Sequence, residues 1–542
     1  MKSAALSLFL GLLLPVVAYG QPAPADVILL NGKVFTADPA RPSADAIAFR
    51  GERIVAVGTS AEIARLAGPK TRRIDVQGRV ITPGFNDAHM HFGADPDGVH
   101  LPLGSMEPSW EETKAAIEAA AQHAPLGTWI FGRVGATVVL TEEVTRFALD
   151  AIAPNHPVLL RAYYGHGYIV NSKAMPLLHI AEEAPDPAGG YFERVSGSHK
   201  VNGRFWEYAE WQPNRILANQ VSDEDVIKAI RHMAQEAVGY GITSLQVFPQ
   251  TSVDRFARLL VRARVPIRVR AIPFSVTDPR GRDLSEVRGL AKLTLPQFHV
   301  TASGIKWVLD GTPFERGAAL RRPYNDRPGW SGRLNFPESD IAAIIKESLE
   351  FKQPLLLHCV GDRTVEVVFD ALDSYGATVD WRAKRVRIEH GDGVIDDLIP
   401  RARRLGVIVV QNPTHFAQPE LFHRRWGTAM FPLRSLIDAG IPVALGSDGP
   451  MNPFLNIMFA TSHPYNPKEA ITREEAVRAY TYGSAFAEFA EKEKGTLTKG
   501  KLADVVVLSE DVLASPLPAL PKTRSVLTIV GGRIVYDAKI LK

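Results

Sequence analysis

The sequence predicts an α/β fold: a (β/α)8 barrel of TIM type, with a small β-sandwich built from both chain ends and an αβ insertion after the first barrel strand. Three observations predict it. Strand-like and helical runs alternate through the middle of the chain, glycine-punctuated β segments stand at both ends, and one long stretch after the first strand follows neither rhythm. Strands alternating with helices argue for a parallel sheet, and eight such units argue for a barrel.

Residues 1–20 stand outside that fold. Lys2, the apolar stretch 4–18 and the small residues of Ala18-Tyr19-Gly20 read as a secretory signal peptide. The apolar stretch is shorter than the ~20 residues a membrane crossing needs. No cysteine follows the cleavage site, so lipid anchoring is not expected. The expectation is a periplasmic or secreted protein with no membrane insertion after signal cleavage.

Residues 21–82 then hold β segments at 26–36, 46–58 and 72–81, with turns at Asn31-Gly32, Gly51-Glu52 and Gln77-Gly78. Asn-Gly and Gly-X pairs between β-branched runs predict antiparallel hairpins. The C-terminal stretch 491–542 repeats the style at 503–508 and 525–536, with a turn at Gly531-Gly532. Neither piece is large enough alone, so the two are expected to pack as one sandwich.

Between them, 83–490 carries the barrel. Strands are predicted at 80–85, 242–248, 267–274, 304–309, 354–358, 385–389, 406–411 and 441–445. Helical spacing fills the gaps at 253–264, 284–293, 338–351, 363–372, 394–405 and 433–439, and a last helix starts at Thr472 with Glu475 in capping-box position. The stretch exceeds the ~250 residues typical of such a barrel. The surplus, about 92–240, is assigned to the inserted αβ subdomain.

Composition narrows the function. The 542 residues carry 62 basic and 59 acidic side chains, a net charge of +3 with no long run of one sign, which excludes a nucleic-acid arm. A hydrophobic share of 46% excludes intrinsic disorder. Cys359 is the single cysteine, so neither an intramolecular disulfide nor a thiolate metal cluster can form within the chain. Residues 495–501 imitate a phosphate loop until Leu502 replaces the required hydroxyl residue. Gly-X-Ser-X-Gly and His-Glu-X-X-His are both absent. A small-molecule substrate is the partner left, with no nucleic acid.

Barrel enzymes keep their reactive groups at the C-terminal ends of strands. The first strand here runs into His89-Met90-His91, and residues i and i+2 of extended chain point to one side. Lys306 lies in the fourth strand, His358 ends the fifth, His390 follows the sixth and Asp448 follows the eighth. Imidazole and carboxylate are the usual ligands of zinc or a similar divalent ion. Singly, each residue has a plainer reading: a chance His-X-His, a core histidine, a solvent-facing lysine or a capping aspartate. Together they point to metal. An ammonium would repel a cation, so Lys306 makes sense as a carbamate formed with carbon dioxide, an anion that bridges two ions. Two ions would polarise a bridging water to hydroxide, which attacks a carbonyl while Asp448 passes the proton to the leaving nitrogen.

The motif Ile81-Thr-Pro-Gly-Phe-Asn-Asp-Ala-His-Met-His91 resembles the opening signature of the amidohydrolase superfamily. More narrowly, the chain resembles the YtcJ-like amidohydrolase family 3 proteins, which include N-substituted formamide deformylases. Further matches are Gly165-His166, Val170-Asn171-Ser172, Lys306-Trp-Val-Leu-Asp310-Gly311, His358-Cys-Val-Gly361-Asp362-Arg363, Ile388-Glu389-His390-Gly391, Gly446-Ser447-Asp448 and Gly500-Lys501-Leu502-Ala503-Asp504. The resemblance implies a binuclear site: His89, His91 and Asp448 on one metal, His358 and His390 on the other, and carboxylated Lys306 between them. It also supports the split sandwich and the insertion. A homodimer is compatible with the resemblance, though no segment specifies an interface. Relatives usually continue Asp-Gly-Ser-Leu-Gly-Ser after the lysine strand, whereas this chain continues Thr312-Pro313-Phe314-Glu315-Arg316.

Three further residues are candidates for touching substrate: His166 in the insertion, with a hydrogen-bonded loop histidine as its plainer reading, His415 after the seventh strand, and Arg363 at a helix start, where a structural salt bridge is the plainer role. Cys359, beside His358 on the opposite side of its strand, is expected to pack in the core. The reading is an exported metal-dependent hydrolase of amide-type carbon–nitrogen bonds, formamides included, with catalytic Asp448. The same ligands would serve ester, lactone or cyclic-imide hydrolysis. A binding protein that has kept the barrel is the alternative of another class.

Overall fold

The computed structural model describes residues 23–295 and 299–541, so the expected signal peptide lies outside the described residues. The interior is made of parallel strands whose side chains are buried on both faces. Ile242–Pro249 and Leu355–Cys359 are buried along their whole length, the pattern of a parallel sheet covered on both sides.

The parallel strands form two sheets. One has four strands in the order Val300–Ala302, Arg268–Ala271, Ile242–Pro249 and Phe85–Phe92. The other has five, Ile305–Val308, Leu355–Cys359, Arg387–His390, Ile408–Gln411 and Val443–Leu445, laid side by side in sequence order. At one junction Phe274 and Lys306 form a parallel bridge. At the other, Asp448 N–H donates to His89 O at 2.9 Å and Ser447 N–H to the Asp87 carboxylate at 2.9 Å. A side chain at Gly446 would stand 2.5 Å from His89 N, so glycine is what lets these two strand ends approach.

Amphipathic helices separate the strands. In Val253–Ala263, Ser252 caps the N-terminus by accepting from Arg255 N–H, Phe256, Leu259 and Leu260 turn inward, and left-handed Arg264 ends the helix. Glu338–Glu350 and Asp362–Asp373 fall where helical spacing predicts them. The last helix, Arg473–Arg478, starts on Thr472 with the expected reciprocal cap from Glu475.

Several expectations are corrected. The predicted first strand at 80–85 is two strands: Val80–Pro83 pairs with Val505–Leu508 in a different sheet, and the strand that enters the parallel sheet is Phe85–Phe92. Gly84 divides them, pressed where a side chain would meet Thr243. The predicted fourth strand is shortened to Ile305–Val308, and Val300–Ala302 precedes it as a separate partner of Arg268–Ala271.

The terminal β segments also differ in detail. Asn31-Gly32 and Gln77-Gly78 were expected to close hairpins, but at each turn the chain changes sheet. Ala25–Leu30 and Ala67–Asp75 pair in parallel within one four-stranded sheet, while Lys33–Phe35 and Val80–Pro83 pair in parallel within a six-stranded one. Left-handed Asn31, Gln77 and Gly78 supply a sharp reversal in either arrangement. What decides between them is burial: Val34 and Ile81 turn into the same apolar cluster as Leu29 and Ile74 from across the layer. The turn at Gly51-Glu52 does close a hairpin, as does Gly531-Gly532. The six-stranded sheet unites both ends of the chain, with Val505–Leu508 lying between Val80–Pro83 and Ser525–Val530.

After the His89 strand the chain builds a separate mixed six-stranded sheet, from Gly98–His100 to Val201–Glu207. Helices Tyr208–Gln220 and Asp223–Gly239 then lead into Ile242–Pro249. Among the described residues no helix is long and apolar enough to cross a membrane.

Candidate metal centre

Asp448 is the hub. Its Oδ1 stands 3.7 Å from His89 Nε2 and 3.6 Å from His91 Nε2, and its Oδ2 stands 3.8 Å from His390 Nδ1 and 3.6 Å from His415 Nε2. His89 and His91 place their Nε2 atoms 3.4 Å apart. The His390 ring continues the row, 4.9 Å from the His89 ring and 4.4 Å from that of His358. Lys306 is 1% exposed, its Nζ has no hydrogen-bond partner, and it rests 4.8 Å from the centre of the Phe248 ring. Its charge bears on His89, His358, His390 and Asp448 alike. The six predicted ligands therefore meet in one place.

The residues fit metal. Two ligands each about 2.1 Å from one ion at a tetrahedral angle stand ~3.4 Å apart, close to the spacings around Asp448. Those spacings are too long for hydrogen bonds. His358 Nε2, His390 Nδ1 and Lys306 Nζ are buried without partners, a costly arrangement for polar atoms unless something binds them. Burial pushes His89, His358 and His390 below the usual imidazole range, keeping them neutral and able to ligate. Burial pushes Lys306 down to about 8. Asp448 goes the other way: burial would raise it, but His89, His91, His415 and Lys306 hold it well below the usual carboxylate range.

Backbone conformation places two of these groups. His390 (φ 66°), the last residue of its strand, and Asp448 (φ 38°), just past its own, both sit in the left-handed region, the kind of strain that concentrates at functional sites. Asp87 braces the Asp448 turn by accepting from His89 N–H, Ser447 N–H and Tyr480 Oη–H, and burial pushes its carboxyl up to about 6.

A layer of residues behind the ligands was not singled out from the sequence. Glu389 Oε2 lies 2.6 Å from His89 Nδ1, and Arg387 donates to both oxygens of Glu389 at 2.7 and 3.1 Å. Asp310 accepts from Val360, Gly361 and Ala319 N–H and from Thr364 Oγ1, and so ties the loop after the His358 strand to the lysine strand. A carboxylate and a guanidinium alternating in a strand buried on both faces was the available signal for Glu389 and Arg387.

The substrate candidates separate. His415 joins the hub, its ring stacked 5.5 Å from that of His390. The His166 ring is 5.0 Å from His358, and its Nδ1 meets both oxygens of Glu207 at 3.0 Å. Burial alone would lower His166, but Glu207, Glu315 and Glu210 raise it to about 10. Burial lifts Glu315 to about 7. Arg363 takes the plainer role, a salt bridge at the helix start, in place of a substrate contact: its guanidinium meets Glu366 at 2.5 Å and Glu338 at 2.6 Å, on a side chain 39% exposed. Cys359 is buried in the core, as expected.

The 312–316 loop walls the site. Phe314 stacks 4.9 Å from Tyr164 of the insertion and meets Phe422 edge-on at 5.4 Å. The loop thus joins the insertion to helix Pro419–Trp426.

Comparison with known proteins agrees with this geometry. Residues 72–536 match the Amidohydrolase family. N-substituted formamide deformylase of Arthrobacter pascens is 26% identical over 94% of this chain and 98% of its own. The amidohydrolase YtcJ of Bacillus subtilis (strain 168) is 26% identical over 87% and 92%. A crystal structure of an uncharacterized metal-dependent hydrolase from Pyrococcus furiosus superposes with a TM-score of 0.68 at 24% identity, over 90% of this chain and 100% of that one, a likeness of fold.

Proposed function

The chain belongs to the amidohydrolase family and is a metal-dependent hydrolase of carbon–nitrogen bonds; from that premise we propose that it cleaves amide-type bonds, formamides included, in a small organic molecule. The observation that carries this reading is Asp448, an ionised carboxylate encircled by four imidazole nitrogens at 3.6–3.8 Å. The formamide preference is supported by the deformylase relative, which is similar over nearly the whole chain.

In this reading His89, His91 and Asp448 would hold one divalent ion and His358 and His390 a second, with zinc suited to the nitrogen and oxygen donors. Lys306, as a carbamate, would complete the donor set of the pair. The ammonium would first lose one proton; the free amine would then add to dissolved carbon dioxide, forming one N–C bond and releasing a second proton, so that a cation becomes an anion. The ions, when bound, supply Lewis acidity and lower the pKa of water from 15.7 towards ~7. The chain's own groups do the rest. Asp448 takes the proton of the attacking water and delivers it to the leaving nitrogen. His415, facing the same carboxylate, and His166, beside His358, touch the substrate. The aromatic wall of Tyr164 and Phe314 excludes water from the pocket.

The scaffold follows the same reading. The two parallel sheets are arcs of one (β/α)8 barrel over 83–490, interrupted by the insertion at about 92–240. Support comes from the Phe274–Lys306 bridge at one seam and the Asp448–His89 hydrogen bond at the other. Residues 21–82 and 491–542 form a sandwich, supported by their common apolar cluster. Residues 1–20 direct export to the periplasm or medium.

The test is Asp448→Asn, assayed with zinc-loaded protein against N-substituted formamides, esters, lactones and cyclic imides. Turnover of formamides that falls at least ~100-fold in the variant supports the reading, on the usual worth of a general acid–base group. Full activity in the variant overturns the mechanism. Faster turnover of esters, lactones or cyclic imides than of any amide overturns the substrate class.

A further inference from the structure

Beside the centre just described lies a second cluster, of which only His166 enters the reading above; it rests on that reading for its place beside the metal pair. His166 comes from the turn between Val158–Ala162 and Tyr168–Val170, Glu207 from the end of Val201–Glu207, and Glu315 from the loop after the lysine strand. We propose that His166, Glu207 and Glu315 hold a third divalent cation, of the first-row transition type, on the pocket wall next to His358. One imidazole and two carboxylates are a donor set for such an ion, and the imidazole favours it over calcium or magnesium.

Distance supports the site. One donor atom from each of the three residues lies within 4.8 Å of the other two. Donors on opposite sides of an ion with bonds of ~2.1 Å stand up to ~4.2 Å apart, so small side-chain rotations close the set. The two carboxylates are close neighbours: a Cβ on Gly311 would meet both Glu315 Oε1 and Glu207 Oε1.

Charge and unmet hydrogen bonding support it independently. Three carboxyl groups, those of Glu207, Glu210 and Glu315, face one imidazole. Among the described residues the one ion pair made by this trio is Glu207 with His166, and no lysine or arginine pairs with any of them. His166 and the more distant Arg333 are the cations that act on Glu207, and three buried carboxyl groups around one imidazole are costly. Glu210, one turn into the helix that Glu207 opens, is 1% exposed, and its Oε2 has no hydrogen-bond partner. Asn335, 8% exposed, donates from Nδ2 to Glu207 Oε2 at 2.9 Å and leaves its own Oδ1 unpartnered. Two orphaned acceptors at the rim of an acidic trio call for a cation and its bound waters.

The site stands apart from the metal pair proposed above, and its test keeps the two distinct. Full-length protein is stripped with chelator, titrated with Mn2+, desalted and analysed for metal by mass spectrometry. The wild type should retain one equivalent more than Glu315→Gln, and Glu207→Gln should match Glu315→Gln. The equivalent lost in those variants should survive in Lys306→Ala, which disturbs the pair alone. Equal metal content in wild type, Glu315→Gln and Glu207→Gln overturns the proposal, whatever the pair does.

Discussion

Glu389 Oε2 lies 2.6 Å from His89 Nδ1, both groups wholly buried, and Arg387 clamps the far side of the carboxylate. A carboxylate behind a ligating imidazole fixes the ring's orientation and tautomer and raises its basicity. His89 therefore keeps Nε2 free to face Asp448. Glu389→Gln keeps the shape but removes the charge. Metal affinity should fall about 10–100-fold, with activity recovered in excess metal, as titration of the stripped protein will show. Undiminished affinity would mean that Glu389 serves Arg387 alone.

Lys306 is the one lysine amine with no hydrogen bond deep in the site, and burial holds it near 8. If its role is to become an anion, Lys306→Ala should lose the metal pair and turnover. Short carboxylic acids such as acetate or propionate should restore part of the activity by occupying the vacated position. Metal analysis alongside the assay separates the roles, since unchanged metal content would leave no bridging function for the residue.

Arg363 should behave as a surface residue. Its two ion pairs are with half-exposed or exposed carboxylates on its own helix and the preceding one, and such pairs contribute about 0–1 kcal/mol. Arg363→Ala should leave KM and kcat within a factor of two and lower the melting temperature slightly. A KM raised tenfold would restore the substrate contact expected from its motif.

The contrast between Arg363 and His415 shows what the sequence makes legible. Strand rhythm locates strand ends, and at those ends a side chain has little choice but to enter the mouth, which is why His89, His91, Lys306, His358, His390, His415 and Asp448 all arrive there. Arg363 sits one turn further on, where a helix can carry a long side chain outward to Glu338 and Glu366 instead. Glu207 and Glu315 were invisible for another reason. They lie more than a hundred residues from each other, and only the folding of the insertion over the 312–316 loop brings them to His166. The sheet-switching turns at Asn31-Gly32 and Gln77-Gly78 illustrate the same limit: the local chain reversal is encoded by the turn residues, but the partner strand is chosen by burial of Val34 and Ile81 in a cluster assembled from both chain ends.

His463 offers a pH signature away from the metal ligands. It is fully buried; Nε2–H donates to Phe431 O at 3.0 Å, and Nδ1 accepts from Asn466 N–H at 3.1 Å. Both nitrogens are satisfied only in the neutral ring. A second proton would set Nδ1–H against an N–H donor, and burial already pushes the pKa down to about 4. An imidazole depressed in the folded state binds fewer protons than the unfolded chain, whose value is ~6.5, so its contribution is complete above that pH and lost as pH falls towards 4. The window of about 2.5 pH units corresponds to a loss of roughly 3 kcal/mol. Denaturant unfolding of chelator-stripped protein between pH 7 and pH 4.5 should therefore show a steeper acid loss for the wild type than for His463→Asn. Asparagine tolerates the left-handed backbone that His463 adopts at φ 41°, and it carries no titrating group. Parallel pH profiles for the two proteins would assign the acid sensitivity elsewhere.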